Sequence, residues 1–471
     1  MLVILGCLMV VVFMVLILTK RATPVVALTL VPVIFGLLAG GGLDLGDMIT
    51  DGIKSLAPTA ALLFFAIIFF GIMIDVGLFD PLVRGILRLV RNDPARLVIG
   101  TAVLAMIVSL DGDGSTTYII VTSALLPLYL KLGVSPVVLT VIAGLANGTM
   151  NIIPWGGPTV RAASALGVSP SDVFNPMVPS MVVGLIIVLL FAVHLGFTER
   201  RRLGTLTFEP ALVRESVGTG NRRHGSGGVS EGGGTPSSGS AGSTESSDDE
   251  SAGRFIDGLD PNRATLRPKL LWFNAALTVT LLVVLIVDVL PIPVLFMIAA
   301  STALTVNFPR VKDQSEAIAR HSSSIVSVVA MVFAAAVLTG VFQGTGMVEA
   351  MAQWLLEIIP PALGPHLAVI TGVLSMPLTF FMTNDAFYFG ILPVLTETAA
   401  QYGIEPVEMA RASITGQPIH MHSPLVPAIL LLVTLAGVSL ADHHKKVLWR
   451  AVLVCIAMLV VGVALGPIPI G

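Results

Sequence analysis

What most restricts this chain is a succession of apolar stretches, each long enough to cross a bilayer. Runs of about 18 to 25 apolar residues lie near 2–19, 24–41, 57–78, 135–153, 173–197, 270–289, 291–307, 323–345, 412–435 and 447–467. Lipid satisfies no backbone amide or carbonyl, so runs of this length must be helices. The chain is 55% hydrophobic and 12% charged, against about 25% charged in a soluble domain, which excludes a mostly water-exposed fold. The expectation is an all-α polytopic membrane protein with about ten transmembrane helices. The first run, Leu2 to Leu18, has no basic segment ahead of it and no small-residue cleavage site, so it is expected to stay as a helix. Cys7 and Cys455 fall in opposite terminal runs, which argues against a disulfide framework or a zinc site.

Two further apolar pairs, 97–110 with 115–130 and 365–382 with 386–402, have short arms and polar middles. They read as re-entrant hairpins. With the N-terminus outside, cytoplasmic loops receive Lys20, Arg21, Arg84, Arg88, Arg91, Arg96, Lys131, Arg200, Arg201, Arg202, Arg310, Lys312, Arg320, Lys445, Lys446 and Arg450. Outer loops receive Asp44, Asp47, Asp51, Asp172, Glu349, Glu357, Glu405 and Glu408, with Lys54 the one clear base. That is a positive-inside pattern, which puts a multi-pass protein in the plasma membrane with both termini outside. The hairpin assignment rests on arm length and polar tips, because two full crossings in place of either pair would conserve parity.

Residues 204–268 are Gly/Ser-rich and acidic, with GSGGVSEGGGTPSSGSAGSTESSDDESAG at their centre. They cannot bury a core and are expected to be a flexible cytoplasmic linker between a first repeat, 1–203, and a second, 269–471. FFGIMIDVGLFD from Phe69 resembles LTGVFQGTGMVEA from Leu338, with Gly71, Gly77 and Asp80 falling on Gly340, Gly346 and Glu349, about 269 residues on. The same offset lays Ser115, Thr116 and Thr117 on Asn384, Asp385 and Ala386, one hairpin tip on the other. Each half holds an odd number of full crossings, so the second is inserted upside down. This is the plan of an inverted-repeat secondary transporter with two opposed re-entrant hairpins.

Four polar breaks interrupt the apolar segments, and ionisable groups at that depth default to function. The first, Asp111-Gly112-Asp113-Gly114-Ser115-Thr116-Thr117, resembles a calcium loop but lacks its glycine and glutamate: positions six and twelve hold Thr116 and Thr122. As a hairpin tip it offers glycines for the reversal, hydroxyls for an anion, and carboxylates for a cation or a proton; the alternative is a helix cap. The second runs from Asn147 through Asn151 to Pro154-Trp155-Gly156-Gly157-Pro158-Thr159 and Arg161. Its prolines and glycines should unwind the helix near 147–161, and Arg161 either meets a carboxylate or snorkels to the interface. The third, Thr383-Asn384-Asp385-Ala386, sets a carboxylate among phenylalanines, either a functional group or a helix N-cap. The fourth, Gly416-Gln417-Pro418-Ile419-His420-Met421-His422-Ser423-Pro424, unwinds the span near 412–435 and carries two histidines, either proton relays or partners of freed carbonyls. Asp75 and Asp80 flank the cytoplasmic end of the third crossing and read as structural boundary residues.

At these breaks the chain resembles the citrate-metal-proton symporters of the ion transporter superfamily. The segments GIMIDVGLFDPLVR, SLDGDGSTTYIIVTSALLPLY, NIIPWGGPTVRAASALG, FFMTNDAFYFGILPVL and GQPIHMHSPLVPA carry the likeness, which spans nearly everything but 204–268. The resemblance implies uptake of citrate complexed with a divalent cation of the magnesium or calcium type, coupled to protons, with no permanent cofactor and no nucleic-acid partner. It also implies an elevator-like transport domain and a homodimer. Carried over, Ser115, Thr116 and Thr117 would face Asn384 and Asp385, with Asn151, Gly156, Gly157, Thr159, Gln417 and Ser423 completing the site. Asp113 and Asp385 would complete the metal's shell, and Arg161 would meet exposed carboxylates. Asp111, Asp113, Asp385, His420 and His422 are the candidates for proton coupling. The Ser-Asn-Thr tips of the sodium-coupled dicarboxylate relatives are replaced here by Gly-Ser-Thr-Thr and Thr-Asn-Asp, which disfavours a sodium site. A sodium-coupled carrier of free di- or tricarboxylate is the nearest alternative. A channel fits opposed hairpins poorly, and no HExxH, GxSxG or Cys-His pairing in a membrane segment suggests an enzyme.

Overall fold

The computed structural model describes residues 1–19, 21–90, 93–112, 114–203, 263–287 and 290–471. Asp113, Lys20, Arg91 and residues 204–262 of the expected linker lie outside the described residues. Those described form helices and turns, with no strand among them. In the first half the helices are α1 (Leu2–Leu18), α2 (Pro24–Leu38), α3 (Leu45–Asp75), α4 (Asp80–Val90), α5 (Pro94–Val108), α6 (Gly114–Lys131), α7 (Pro136–Met150), α8 (Gly157–Leu166), α9 (Pro170–Phe174) and α10 (Val178–Leu203). The second half holds α11 (Leu271–Val287), α12 (Ile292–Asn307), α13 (Val311–Arg320), α14 (Ser322–Gly344), α15 (Met347–Ile358) and α16 (Leu367–Phe381). A π-helical turn, Ala386–Ile391, then leads into α17 (Leu392–Ala400), α18 (Pro406–Ile414), α19 (Gln417–His420), α20 (Pro427–Leu435) and α21 (Leu440–Ala464).

Helix starts follow local chemistry. Proline at the first helical position has no amide to leave unpaired, and it opens α2, α5, α7 and α18. Asp93 caps α5 by accepting from the Ala95 amide at 2.9 Å, and Glu405 with Glu408 forms a reciprocal capping box on α18. α3 begins at Leu45, well before the apolar run at 57, and passes through Pro58. Its early charges sit on an exposed face, where Lys54 pairs with Asp51 at 2.9 Å. Among the described residues, seven helical segments are long and apolar enough to cross a membrane, and five more are apolar but shorter. Two of the seven, Pro94–Asp111 and Pro361–Phe381, are first arms of the expected hairpins, so each arm is longer than its apolar pattern suggested.

The order of elements repeats. α1 starts at Leu2 and α11 at Leu271; α7 ends at Met150 and α19 at His420; α8 starts at Gly157 and α20 at Pro427. Equivalent helices α3 and α14 lie against each other and run antiparallel, because Gly52 abuts Gly340 at one end while Gly71 abuts the His321 ring at the other. A Cβ on Gly340 would collide with the Met48 carbonyl, and one on Gly52 with that of Ala336. Packing is reciprocal as well: α2 lies along α14, and α12 along α3. Antiparallel contact between equivalent helices makes the halves inverted repeats about a pseudo-two-fold axis across the helix direction. A second group, built on α5, α7, α10, α16, α18 and α21, packs on itself and carries both helix breaks.

Candidate functional site

The two breaks cross on the pseudo-two-fold. Helix α7 stops at Met150 and α8 resumes at Gly157; α19 stops at His420 and α20 resumes at Pro427. Equivalent residues touch there: Asn151 Nδ2 donates to Met421 Sδ at 3.4 Å, and a Cβ on Gly148 would lie 3.0 Å from Pro418 Cα. Each break is tied to its own hairpin by an amide. Asn147 Nδ2 donates to Ser109 Oγ at 3.0 Å, and Ser109 Oγ lies 3.2 Å from Thr117 Oγ1. Gln417, the counterpart of Asn147, exchanges hydrogen bonds with the Asn384 amide at 3.3 and 3.4 Å and donates to Tyr388 Oη at 2.8 Å. Tyr388 lies in the π-helical turn, an element that often marks functional positions.

The first tip is clamped by Trp155, whose Nε1 donates to the Leu110 carbonyl at 2.8 Å. Gly112 sits there at φ 79°, and a Cβ on it would come within 3.1 Å of the indole. Phe70 of α3 stacks on Trp155 at 5.6 Å between centroids, and Phe296 of α12 meets it edge-on at 5.1 Å. The aromatic triplet joins the α3–α14 group to the broken helices.

Between those groups lies a cavity of about 740 Å³, within the range of small-molecule sites. Asp111, Gly112, Ser115 and Thr116 line it from the first tip, and Trp155, Gly157, Arg161 and Ser164 from the first break and α8. Arg161 Nε donates to Asp385 Oδ1 at 2.6 Å, with side-chain exposures of 29% and 10%. This pair joins the second hairpin tip to α8. Gly157 leaves room for the guanidinium: a Cβ there would lie 2.7 Å from Nη1.

The other expected site residues turn inward. Thr117 is spent on Ser109; Thr159 Oγ1 donates to the Ile152 carbonyl at 2.6 Å, and Ser423 Oγ to that of Phe380 at 2.6 Å. Gly156 serves the tightness of the break, since a Cβ on it would collide with the Asn151 carbonyl. His420 Nδ1 lies 2.5 Å from the Thr379 carbonyl, and His422 Nδ1 lies 3.0 Å from His443 Nε2. Thus Asp111, Ser115, Thr116, Gly157 and Arg161 share the cavity wall, with Asp385 bonded to Arg161. Thr117, Asn151, Gly156, Thr159, Asn384, Gln417, Ser423, His420 and His422 are not on that wall. Among the described residues, no three His, Cys, Asp or Glu side chains converge as a metal cluster.

Sequence reasoning missed the opposite wall. His321, Ser323, Ser324 and Ser327 of α14 and the segment before it line the cavity, as does Ser164, whose Oγ is buried without a hydrogen-bond partner among the described residues. The run His321-Ser322-Ser323-Ser324 ahead of an apolar helix was the available signal. Asp75 also belongs here: its Oδ2 accepts from Arg320 Nε at 3.0 Å and His321 Nε2 at 3.2 Å. Asp80 pairs with Arg263 at 3.0 Å.

The model of the citrate transporter family CitMHS matches residues 8–416. A Bacillus subtilis (strain 168) protein named a citrate transporter is 47% identical over 467 residues, covering 99% of both chains. Another from the same organism, named a Mg(2+)/citrate complex secondary transporter, is 46% identical over 472 residues and 100% of both. Among solved structures, the Alcanivorax borkumensis YdaH transporter aligns at a TM-score of 0.48 and 14% identity, over 90% of this chain and 88% of that one.

Proposed function

Because the chain belongs to the citrate transporter family, we propose that it imports citrate complexed with a divalent cation of the magnesium or calcium type, in symport with protons. One observation carries the substrate: the Arg161–Asp385 pair at the edge of the cavity. Citrate is largely a trianion at neutral pH, and its complex with one divalent ion carries about one negative charge while presenting both a metal face and free carboxylates. An arginine–aspartate pair is the complement of those two faces. As the complex enters, a citrate carboxylate takes over the guanidinium, and Asp385, released, supplies a hard oxygen to the metal. Two charges that pair with each other in the empty carrier thus each meet an opposite charge on the cargo, so neither is left buried alone. Ser115, Thr116 and Ser164 line the same cavity.

The cavity reaches His321, at the end of α14 that the loop charges assign to the cytoplasm, so this conformation reads as inward-facing. The grouping of helices supports an elevator: α3 and α14 form the static partner, and the hairpins and broken helices move as one body with the cargo. A homodimer belongs to the same reading. Labelled-citrate uptake into proteoliposomes, with each divalent cation in turn, tests it. Uptake should need the cation, rise with an inward proton gradient and ignore sodium. Uptake that needs sodium and is indifferent to a chelator establishes the free-carboxylate alternative instead.

A further inference from the structure

The geometry points to the buried pair His422–His443, held by Thr140, as the site that takes up the co-transported proton, at Nε2 of His422. This rests on the proton-coupled reading above and names its residue. Thr140 sets the chain of donors. Its Oγ1 lies 2.9 Å from the Val137 carbonyl, an atom that can only accept, so the hydroxyl hydrogen must lie between them. Thr140 Oγ1 therefore offers His443 Nδ1, 3.0 Å away, nothing but a lone pair, and Nδ1 must carry a hydrogen. In the neutral ring His443 Nε2 is then an acceptor. It lies 3.0 Å from His422 Nδ1, which must donate. Neutral His422 is left with a bare Nε2, and that atom is buried with no hydrogen-bond partner among the described residues.

Of the buried side-chain atoms without a hydrogen-bond partner among the described residues, His422 Nε2 is the one imidazole nitrogen, a base able to take a proton. Adding a proton at Nε2 makes the pair a monocation. The 3.0 Å bond lets the charge sit on either ring: with the shared proton on His422 Nδ1 the charge is on His422, and with it on His443 Nε2 the charge is on His443. In both cases the gained proton is at His422 Nε2, so loading and unloading involve one atom. The ring is fixed in place, because it packs on Gly144 of α7, where a Cβ would collide with Cε1. The groups facing it are His443 and His444 of α21, the latter with Nε2 2.7 Å from the His422 carbonyl, and His420 of its own segment. Helices α7 and α16 bring no ionisable side chain. His422, His443 and Thr140 stand on the fourth break, α21 and α7, all in the group carrying both breaks, so the proton travels with the cargo.

Two measurements test this on the full chain. Imidazole nitrogen spectra of the purified protein, recorded over an acid-to-alkaline titration range, should show His422 Nε2 bare at the alkaline end and carrying a proton at the acid end. A His422 that keeps one state throughout that range overturns the inference, and so does a bare Nδ1. In proteoliposomes, His422→Gln should lose accumulation driven by a proton gradient down to equilibration, while exchange of labelled for unlabelled citrate falls far less. Thr140→Val should shift the pH midpoint of uptake through loss of the acceptor for His443. Full gradient-driven accumulation in His422→Gln refutes the assignment of this residue. Absence of gradient-driven accumulation in the unaltered protein refutes proton symport itself, so the two failures are distinguishable.

Discussion

Replacing Arg161 by lysine keeps the positive charge but removes the fork. In the structure Nε is committed to Asp385 at 2.6 Å, while the terminal nitrogens remain at the cavity, Nη1 over Gly157. A lysine ammonium is a single donor centre: it can pair with Asp385 in the empty carrier, but once Asp385 is released it cannot grip a citrate carboxylate through two nitrogens as the guanidinium does. The lost contact is a charge-assisted hydrogen bond in a largely enclosed site, worth about 1.5 to 3 kcal/mol. That converts to a rise of roughly 10- to 150-fold in the half-saturating concentration of citrate. Arg161→Gln goes further and leaves Asp385 unpaired at 10% side-chain exposure. A wholly buried orphan charge costs about 3 to 5 kcal/mol; with the Arg161 end 29% exposed, roughly half of that is expected as lost stability. Initial uptake rates over a range of citrate concentrations, with a thermal scan of each purified variant, separate the two effects. An unchanged half-saturation in Arg161→Lys would refute the proposed role of the guanidinium.

Other predictions probe the frame and the missed wall. Ser164→Ala should raise half-saturation without lowering Tm, because its hydroxyl has no protein partner to lose; a fall in Tm with uptake unchanged contradicts that. Trp155→Phe removes the 2.8 Å bond to Leu110 but keeps the stacked ring, so a loss of about 1 kcal/mol and slower uptake are expected. Gly340→Val drives a side chain into the Met48 carbonyl and should destabilise by about 1 to 3 kcal/mol or more, read as an earlier thermal transition. Normal stability in that variant would mean that α3 and α14 are not in backbone contact.

The architecture was legible because its signals are local. Pro158 and Pro418, with the glycines beside them, mark where the helical course is interrupted: each stands in the first turn of a short helix, α8 and α19, and not inside a continuous one. Internal likeness was legible for a similar reason: Gly71 and Gly340 are constrained by close approach, against His321 and Met48 respectively. Pairing was not legible. Arg161 and Asp385 are 224 residues apart, and either could have capped a helix or snorkelled on sequence grounds. Which hydroxyls face the cavity was not legible either, because Thr159 and Ser423 look the same in sequence whether they face a cavity or satisfy a carbonyl freed by the break. The serines of α14 were passed over because they sit at the head of an apolar helix, where a polar start needs no further reason. Their importance comes from a neighbour, α8, that sequence order places far away.

The central claim is that the Arg161–Asp385 pair opens to receive metal and carboxylate together. Calorimetric titration of the purified protein tests it most directly, with citrate alone, magnesium alone and the two premixed. The account predicts saturable heat for the premixed complex and little for either component, with the heat abolished in a double Arg161→Gln, Asp385→Asn variant. Equal citrate binding in the presence of excess chelator, or full binding by that variant, would contradict it.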